Sequence, residues 1–446
     1  MSKMEENKKY LFSCIISVLN GEKYLEETLK SIRDQNIGSE NIQMIIVNDG
    51  STDGTMKIVN KYEKSFGETL IIENQRNMGV GYSLNRAMES IKGEYSFFFG
   101  SDDLLDNNVL EEVSNFFATN DVEMISVFIE RFGEINKPML KNDRFEKGNR
   151  VIDIRKEYES YQILNGGCFF KSESIQNRRY NEKLNHFADG DYMLRFVEDY
   201  GRYAVLNSAK IYYRIKPKTE SLSRNTKNST YIFINLIEES YVSLINYSKD
   251  KNNGKVSLYM QNALIHRMLI YIKRTSLIKN LTSDEYAKWF SGLKYVLSEI
   301  KDEIILKNNF LKIREKILFF NIKHGNKLND KVIIYKNGCY CYKDTELDIS
   351  LKESIKVGKI LKSDGVHYKI ESDYFDYDKF KIKIKYSIFP FFINRRNFKA
   401  KIKKKEYFFK DYGEFDICGF TAFFKSKYKI KEIRIDILDE EIKYTV

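Results

Sequence analysis

The chain has 446 residues, 42% of them hydrophobic and 31% charged, with 74 Lys plus Arg against 63 Asp plus Glu for a formal net charge of +11. That length calls for two or three domains, with apolar residues enough for real cores and charge enough for a solvated surface. No run approaches the roughly 18 apolar residues of a membrane span, and five scattered cysteines exclude a disulfide framework.

Met1 to Tyr10 is charged and lacks the apolar stretch of a signal peptide, so a cytoplasmic location is expected, with peripheral contact at the inner face of the plasma membrane compatible with the charge. Leu11 to Val18 then reads as a buried strand that ends at Leu19, Asn20 and Gly21. Leu25, Leu29 and Ile32 follow at helical spacing. Met44 to Val47 is a second apolar run, closed by Asn48, Asp49 and Gly50, which delivers a carboxylate to the edge of a sheet. Ser51 or Thr52 can cap the next helix, expected from about Gly54 to Phe66. Thr69 to Ile72 is the third strand. After Arg76, Asn77 and Gly79 comes a helix on which Leu84, Ala87, Met88 and Ile91 share a face. Tyr95 to Phe99 is the fourth strand, and it ends in Gly100, Ser101, Asp102 and Asp103. Strands and helices alternating at this spacing predict βαβ units and a mostly parallel sheet.

Three polar loops, at Asp49, at Arg76 with Asn77, and at Asp102 with Asp103, therefore gather at one edge of the sheet, where open α/β sheets bind ligands. Carboxylates so placed repel one another unless a positive charge lies between them. A divalent cation carrying a diphosphate meets that need, and Arg76 can take part of the phosphate charge. A dinucleotide-binding domain is the rival, but no Gly-x-Gly-x-x-Gly follows the first strand.

Phe12 to Ile32, Val47 to Thr55, Asn77 to Arg86 and Gly93 to Asp103 together resemble, in the same order, the family 2 glycosyltransferases. The resemblance implies the GT-A fold and transfer of a sugar from a nucleotide diphosphate donor to a hydroxyl, usually with inversion. By position, Asp49 resembles the acid that binds the uracil of a UDP-sugar, with Asn20 and Arg76 also on the donor side. Asp102 resembles the ligand of a divalent Mn2+ or Mg2+ ion, and Asp103 is its neighbour. The chain departs from the family at three places. Ser17 and Leu19 replace a Pro and a Tyr, Asn48 replaces an acid, and Gly100 replaces the first acid of Asp-x-Asp.

Farther on, Phe116 to Phe132 crosses more sheet or helix without an acid cluster, and Asn165 to Phe170 resembles the family segment bordering the acceptor. The family's catalytic base commonly lies six residues before an Arg. Counting back from Arg195 gives Asp189, whereas a gapless fit of Asp-Tyr gives Asp191; Asp189 is favoured. One such carboxylate is what the chemistry requires, because an acceptor hydroxyl must lose its proton as it attacks. Arg214 and Ser221 resemble a basic residue and a hydroxyl that close over the diphosphate.

From Ser229 to about Lys323 apolar stripes repeat at helical spacing, compatible with a homo-oligomer, and Thr282 with Glu285 forms a capping box. Thereafter the period becomes two, with a hairpin expected about Asn337 and Gly338. Lys381 to Lys410 holds eleven basic residues against the single acid Glu406. Cys339 and Cys341 lack a second cysteine pair, so no zinc site is expected.

The expected fold is α/β: a GT-A domain over residues 1–228, a helical connector over 229–325 and a small β-sandwich-like domain over 326–446. The expected activity is metal-dependent inverting transfer from a UDP-sugar to a bacterial surface polymer or its lipid-linked precursor. This three-part layout resembles that of some bacterial glycosyltransferases that decorate teichoic acid or capsule, and such anionic glycopolymers would complement the basic strands; no nucleic acid is expected. A polyanion-binding protein with an inactive core and a nucleotidyltransferase are the two other readings.

Overall fold

The computed structural model describes residues 9–325 apart from 75, 135–136, 139–141, 185, 217–229, 273–274, 309 and 312, and, beyond residue 332, the course of the strands but not their side chains. The chain divides into two compact units, Met1–Ala263 and Leu264–Val446.

The first unit opens with β1 (Tyr10–Val18), α1 (Leu25–Arg33), β2 (Ile42–Asn48), α2 (Thr55–Tyr62), β3 (Glu68–Glu73), α3 (Val80–Met88) and β4 (Gly93–Phe98). There follow β5 (Leu104–Leu105), α4 (Val109–Thr119), β6 (Met124–Gly133), β7 (Lys137–Pro138), β8 (Arg150–Asp153) and β9 (Cys168–Lys171). Next come α5 (Ser172–Ile175), α6 (Ala188–Tyr200) and β10 (Arg202–Ile215). One sheet runs in the order β3, β2, β1, β4, β9, β6, β10, β5. The pairs β1 with β2, β2 with β3, β1 with β4 and β6 with β10 are parallel, while β9 runs antiparallel to both its neighbours.

Two inversions through β9 leave β6 and β10 parallel to β4, so the carboxyl ends of β1 to β4 and of β10 share one edge. All seven residues of β2 are buried and most of β1 is too. Such continuous apolar runs belong to strands covered on both faces. On one face, Phe12, Cys14 and Ile16 pack with Leu25 and Leu29 of α1, Val59 of α2 and Val113 of α4. On the other, Phe98 meets Phe170, and Phe170 meets Phe196 of α6. Each such side chain contributes about 1.5–3 kcal/mol by leaving water. This core makes the mouth of the sheet a rigid platform.

Two expectations change in detail. Neither Ser51 nor Thr52 caps α2; the N-cap is Gly54, and no side chain bonds the helix start from there. Ser51 and Thr52 are instead engaged by the loop after β1. The helical stretch expected as a separate connector begins with a helix, 231–251, that falls within the first compact unit. Its polar side chains reach those of α6.

In the second unit, helix Ser283–Ser298 starts at the capping box of Thr282 and Glu285 and buries Tyr286, Trp289, Phe290 and Leu293. Helices Asp302–Lys307 and Ile313–His324 follow, then antiparallel strands in sheets of three, four and four. Ile333–Lys336 pairs with Cys339–Tyr342 as a hairpin would, although Asn337 and Gly338 lie outside the described residues. The Lys-rich stretch contains the strands Lys383–Ile388, Phe391–Arg396 and Lys401–Phe409. Among the described residues no helix is long and apolar enough to cross a membrane.

Candidate active site

Four loops meet at the shared strand edge. The first two are stitched together: the Asn20 amide donates to Ser51 Oγ at 3.0 Å, and Asn20 Oδ1 accepts from the Thr52 amide at 2.9 Å. The Gly21 amide donates to Thr55 Oγ1 at 2.8 Å. Asn20 adopts φ of 52°, the left-handed region that Asn tolerates better than most residues. Its side chain thus shapes the mouth by holding the two loops in register.

Asp49 is buried beyond the end of β2. Its Oδ1 accepts from Asn74 Nδ2 at 2.7 Å and from the Met78 amide at 2.9 Å, and its Oδ2 accepts from the Gly79 amide at 3.1 Å. A carboxylate against these amides satisfies free donors at the start of α3 and complements its positive end. Oδ2 carries one bond, so it retains capacity for a further N–H. Arg76, in the loop so held, is exposed and has no ion-pair partner among the described residues.

The acid turn after β4 is the most constrained part of the mouth. An added Cβ on Gly100 would stand 2.5 Å from Asp103 Oδ2 and 3.2 Å from Asp102 Oδ1, so both carboxylates fold over a position where a side chain does not fit as they stand. The chain's departure from Asp-x-Asp at Gly100 therefore has a steric counterpart. The Asp103 carboxylate turns inward and accepts from the Arg214 amide at 2.9 Å, while its carbonyl accepts from Thr28 Oγ1 at 2.9 Å. Burial, and then the charge of Asp102, push its carboxyl well above the usual range. Asp102 is the accessible member, and its Oδ2 lies 2.6 Å from Lys216 Nζ.

Strand pairing explains why these groups meet. Just after the turn, β5 pairs antiparallel with β10, Leu104 opposite Tyr212 and Leu105 opposite Ile211. That brings the end of β10 onto the acids. Arg214 Nε donates to the Asp102 carbonyl at 2.8 Å, Nη2 to Glu27 Oε2 at 2.5 Å, and the guanidinium lies 4.6 Å from the centre of the Tyr24 ring and 4.4 Å from that of Phe132. Lys216 Nζ is 5.3 Å from the Tyr24 ring centre. Arg214 clamps the turn, whereas Lys216 pairs with the accessible carboxylate of Asp102. Ser221 lies outside the described residues.

The helix α6 begins at a residue in a costly backbone state, Phe187 with φ of 68°. An added Cβ on Gly190 would stand 1.9 Å from the Phe187 ring, so the first turn of α6 closes directly on that ring. Gly190→Ala is accordingly expected to destabilise the unit by about 1–3 kcal/mol through overpacking, read as a lower midpoint in urea unfolding. A midpoint equal to that of the unaltered chain would show that the ring moves aside freely.

The two candidate bases differ sharply. Asp191 is buried and accepts from Arg195 Nε at 2.9 Å and Ser240 Oγ at 2.8 Å. Asp189 is part-exposed, and its Oδ1 accepts from the Gly190 amide at 2.9 Å. Its charge is felt by Tyr180, whose hydroxyl is pushed well above its usual range by burial first, then by Tyr192 and by Asp189. Tyr180 stacks on Tyr192 at 4.2 Å and meets Phe98 of β4 edge-on at 5.5 Å. The start of α6 is thus tied to the strand that carries the acid turn.

Sequence reasoning missed Lys216, Tyr24 and Asn74, and a basic residue two positions past Arg214 was the available signal for Lys216. Among the described residues no group of three or more His, Cys, Asp or Glu is placed to hold a metal ion. The two adjacent acids are nevertheless the hard oxygen donors that suit a small divalent cation, which commonly takes one or two carboxylates and fills its remaining positions with phosphate and water.

The family model described as "Glycosyl transferase family 2" matches residues 13–182. The minor teichoic acid biosynthesis protein GgaB of Bacillus subtilis is 27% identical over 382 residues, which are 81% of this chain and 41% of GgaB, so the chain spans about two fifths of that relative. The poly(ribitol-phosphate) beta-N-acetylglucosaminyltransferase TarS of Staphylococcus aureus is 20% identical over 404 residues, 88% of this chain and 67% of TarS. A crystal structure of S. aureus TarS 1-349 in complex with UDP-GlcNAc superposes with a TM-score of 0.57 at 16% identity, covering 75% of this chain and 97% of that one. This likeness shows the fold.

Proposed function

We propose that this chain, whose residues 13–182 match the model of the family 2 glycosyltransferases, transfers a sugar from a UDP-sugar to a hydroxyl of a phosphate-rich polymer of the teichoic acid kind. The observation that carries this reading is the acid turn. Asp102 stands reachable at the carboxyl edge of the sheet, held by Lys216, beside the loops of Asp49 and Arg76. A bound Mn2+ or Mg2+ would rest on Asp102 and neutralise the departing diphosphate. Asp103, turned inward, sets the shape of the turn.

The protein's own groups then divide the work. Asp49 Oδ2 offers the acceptor that a uracil N–H needs. Arg76 and Lys216 supply positive charge along the diphosphate, worth more in a partly dehydrated mouth than in water. Asp189 takes the proton of the acceptor hydroxyl as that oxygen bonds to the anomeric carbon. The bond from that carbon to the diphosphate oxygen breaks with its electron pair, and UDP leaves. A single displacement of this kind inverts the anomeric configuration. GgaB and TarS, the latter named for poly(ribitol phosphate) and N-acetylglucosamine, support that acceptor class and UDP-GlcNAc as the first donor to assay.

The test is release of UDP from UDP-GlcNAc and other UDP-sugars, with and without poly(ribitol phosphate). Turnover with sugar appearing on the polymer supports the reading. Intact donor across the series would instead mark a binding protein, and pyrophosphate release from UTP would mark a nucleotidyltransferase. Lys216→Met should tighten Mn2+ binding roughly fivefold, because a part-buried pair worth about 1 kcal/mol no longer competes for Asp102. The same change should weaken UDP binding. Both effects are read by calorimetric titration, and unchanged Mn2+ affinity would show that Asp102 is not the cation's seat.

A further inference from the structure

Around Asp189, the protein is held from outside the family-matched residues. Helix 231–251 contains a π-helical segment, Leu236–Val242, between two α-helical ones. Such wide turns are rare and are found frequently at functional sites. This one touches the chain on both sides of Asp189. The Glu239 carbonyl accepts from Asn181 Nδ2 at 3.1 Å, Tyr241 meets Phe187 edge-on at 5.9 Å, and Ser240 Oγ donates to Asp191 Oδ1 at 2.8 Å.

Below that contact the two helices continue as a polar ladder. Arg195 Nη2 donates to Ser243 Oγ at 2.9 Å, and its guanidinium lies 4.8 Å from the Tyr247 ring centre. Glu198 accepts from Ser248 Oγ at 2.6 Å and Ser257 Oγ at 2.7 Å. Asp199 accepts from the Tyr247 hydroxyl at 2.6 Å and from Arg178 at 2.7 Å. A part-buried set of charges like this is weak evidence for stability, since the cost of taking ions out of water offsets much of their attraction. What directed bonds supply that apolar contacts do not is a defined register and orientation.

We infer that the π turn of helix 231–251, through Ser240 on Asp191, is a positioning device that aims Asp189 at the acceptor hydroxyl. The inference rests on Asp189 being the base of the proposed transfer. Asp191 is then a positioning residue: its carboxylate, bonded on one oxygen by Ser240 and on the other by Arg195 Nε, fixes the first turn of α6 two residues past the base. The family-matched segment 13–182 would lack both the base and the element that aims it.

The experiment uses the full chain, with UDP release from UDP-GlcNAc measured with and without poly(ribitol phosphate), and UDP binding measured by calorimetry. Ser240→Ala should lower kcat roughly 10- to 100-fold, the cost of a misplacement of about an ångström. KM for UDP-GlcNAc and the Kd for UDP should stay unchanged, which also establishes that the variant is folded. Ser240→Thr, which keeps the hydroxyl, should recover most of the rate, and Asp191→Asn should show the same split between kcat and KM. Wild-type kcat in Ser240→Ala, or a loss of rate matched by an equal loss of UDP binding, overturns the inference. If Asp189→Asn is inactive while Ser240→Ala is fully active, the positioning role fails and the transferase reading stands. If Asp189→Asn retains full activity, the base assignment fails and the inference falls with it.

Discussion

Asp189→Asn is expected to reduce sugar transfer by about 10²- to 10⁴-fold while leaving UDP binding intact. Asn keeps the shape of the side chain, and its oxygen can still accept from the Gly190 amide as Asp189 Oδ1 does at 2.9 Å. The negative charge and, with it, the capacity to take a proton are lost. The acceptor hydroxyl is a poor nucleophile until deprotonated, so the deficit should lie in kcat and scarcely in KM for the donor. Single-turnover transfer and calorimetry with UDP separate the two. Transfer at the normal rate would remove Asp189 from the mechanism. A deficit in UDP affinity equal to that in rate would show that the start of α6 shapes the donor site instead.

Asp102→Ala should abolish the dependence of UDP binding on Mn2+ and lower transfer by more than 10²-fold. Stabilising the charge of a departing diphosphate is worth several kcal/mol, and each 1.4 kcal/mol is a factor of ten. The neighbouring acid is poorly placed to substitute. Asp103 is buried, bonded to the Arg214 amide, and held towards its neutral form by burial and by the charge of Asp102. Titration of UDP with and without Mn2+ reads the effect. If the unaltered chain binds UDP equally in both conditions, the cation has no place at this turn, and Lys216 is the better candidate for neutralising the diphosphate.

Lys216→Met and Asp102→Ala break the same 2.6 Å pair from opposite ends, so their effects on Mn2+ should have opposite signs. A pair that served only to pin the end of β10 would give the two variants the same sign. The comparison therefore separates a seat for a cation from a structural tie, independently of any turnover assay.

Much of this unit could be read from the chain because its signals are local. Short apolar runs closed by polar residues, as at Val47 to Gly50 and Phe99 to Asp103, mark strands delivering polar groups to an edge, and the parallel sheet of β1 to β4 follows from their alternation with helices. Ser51 and Thr52 misled for a related reason. Good capping residues in the abstract, they are recruited by Asn20, some thirty residues away, and a one-dimensional pattern contains nothing about that partner. The choice between Asp189 and Asp191 stayed open in the sequence because both lie in the first turn of one helix.

The sequence by itself determined that acids and an arginine stand at the carboxyl edge of an α/β sheet, since strand ends and turn formers follow from nearest neighbours. Only the tertiary structure decided how far each of these groups is buried and which partners it meets. It is the pairing of β5 with β10 that sets Lys216 on Asp102, and the packing of helix 231–251 on α6 that sets Ser240 on Asp191, while Asp189 stays part-exposed. Whether a carboxylate can act depends on its burial and its partners, and those come from elements far apart in the chain.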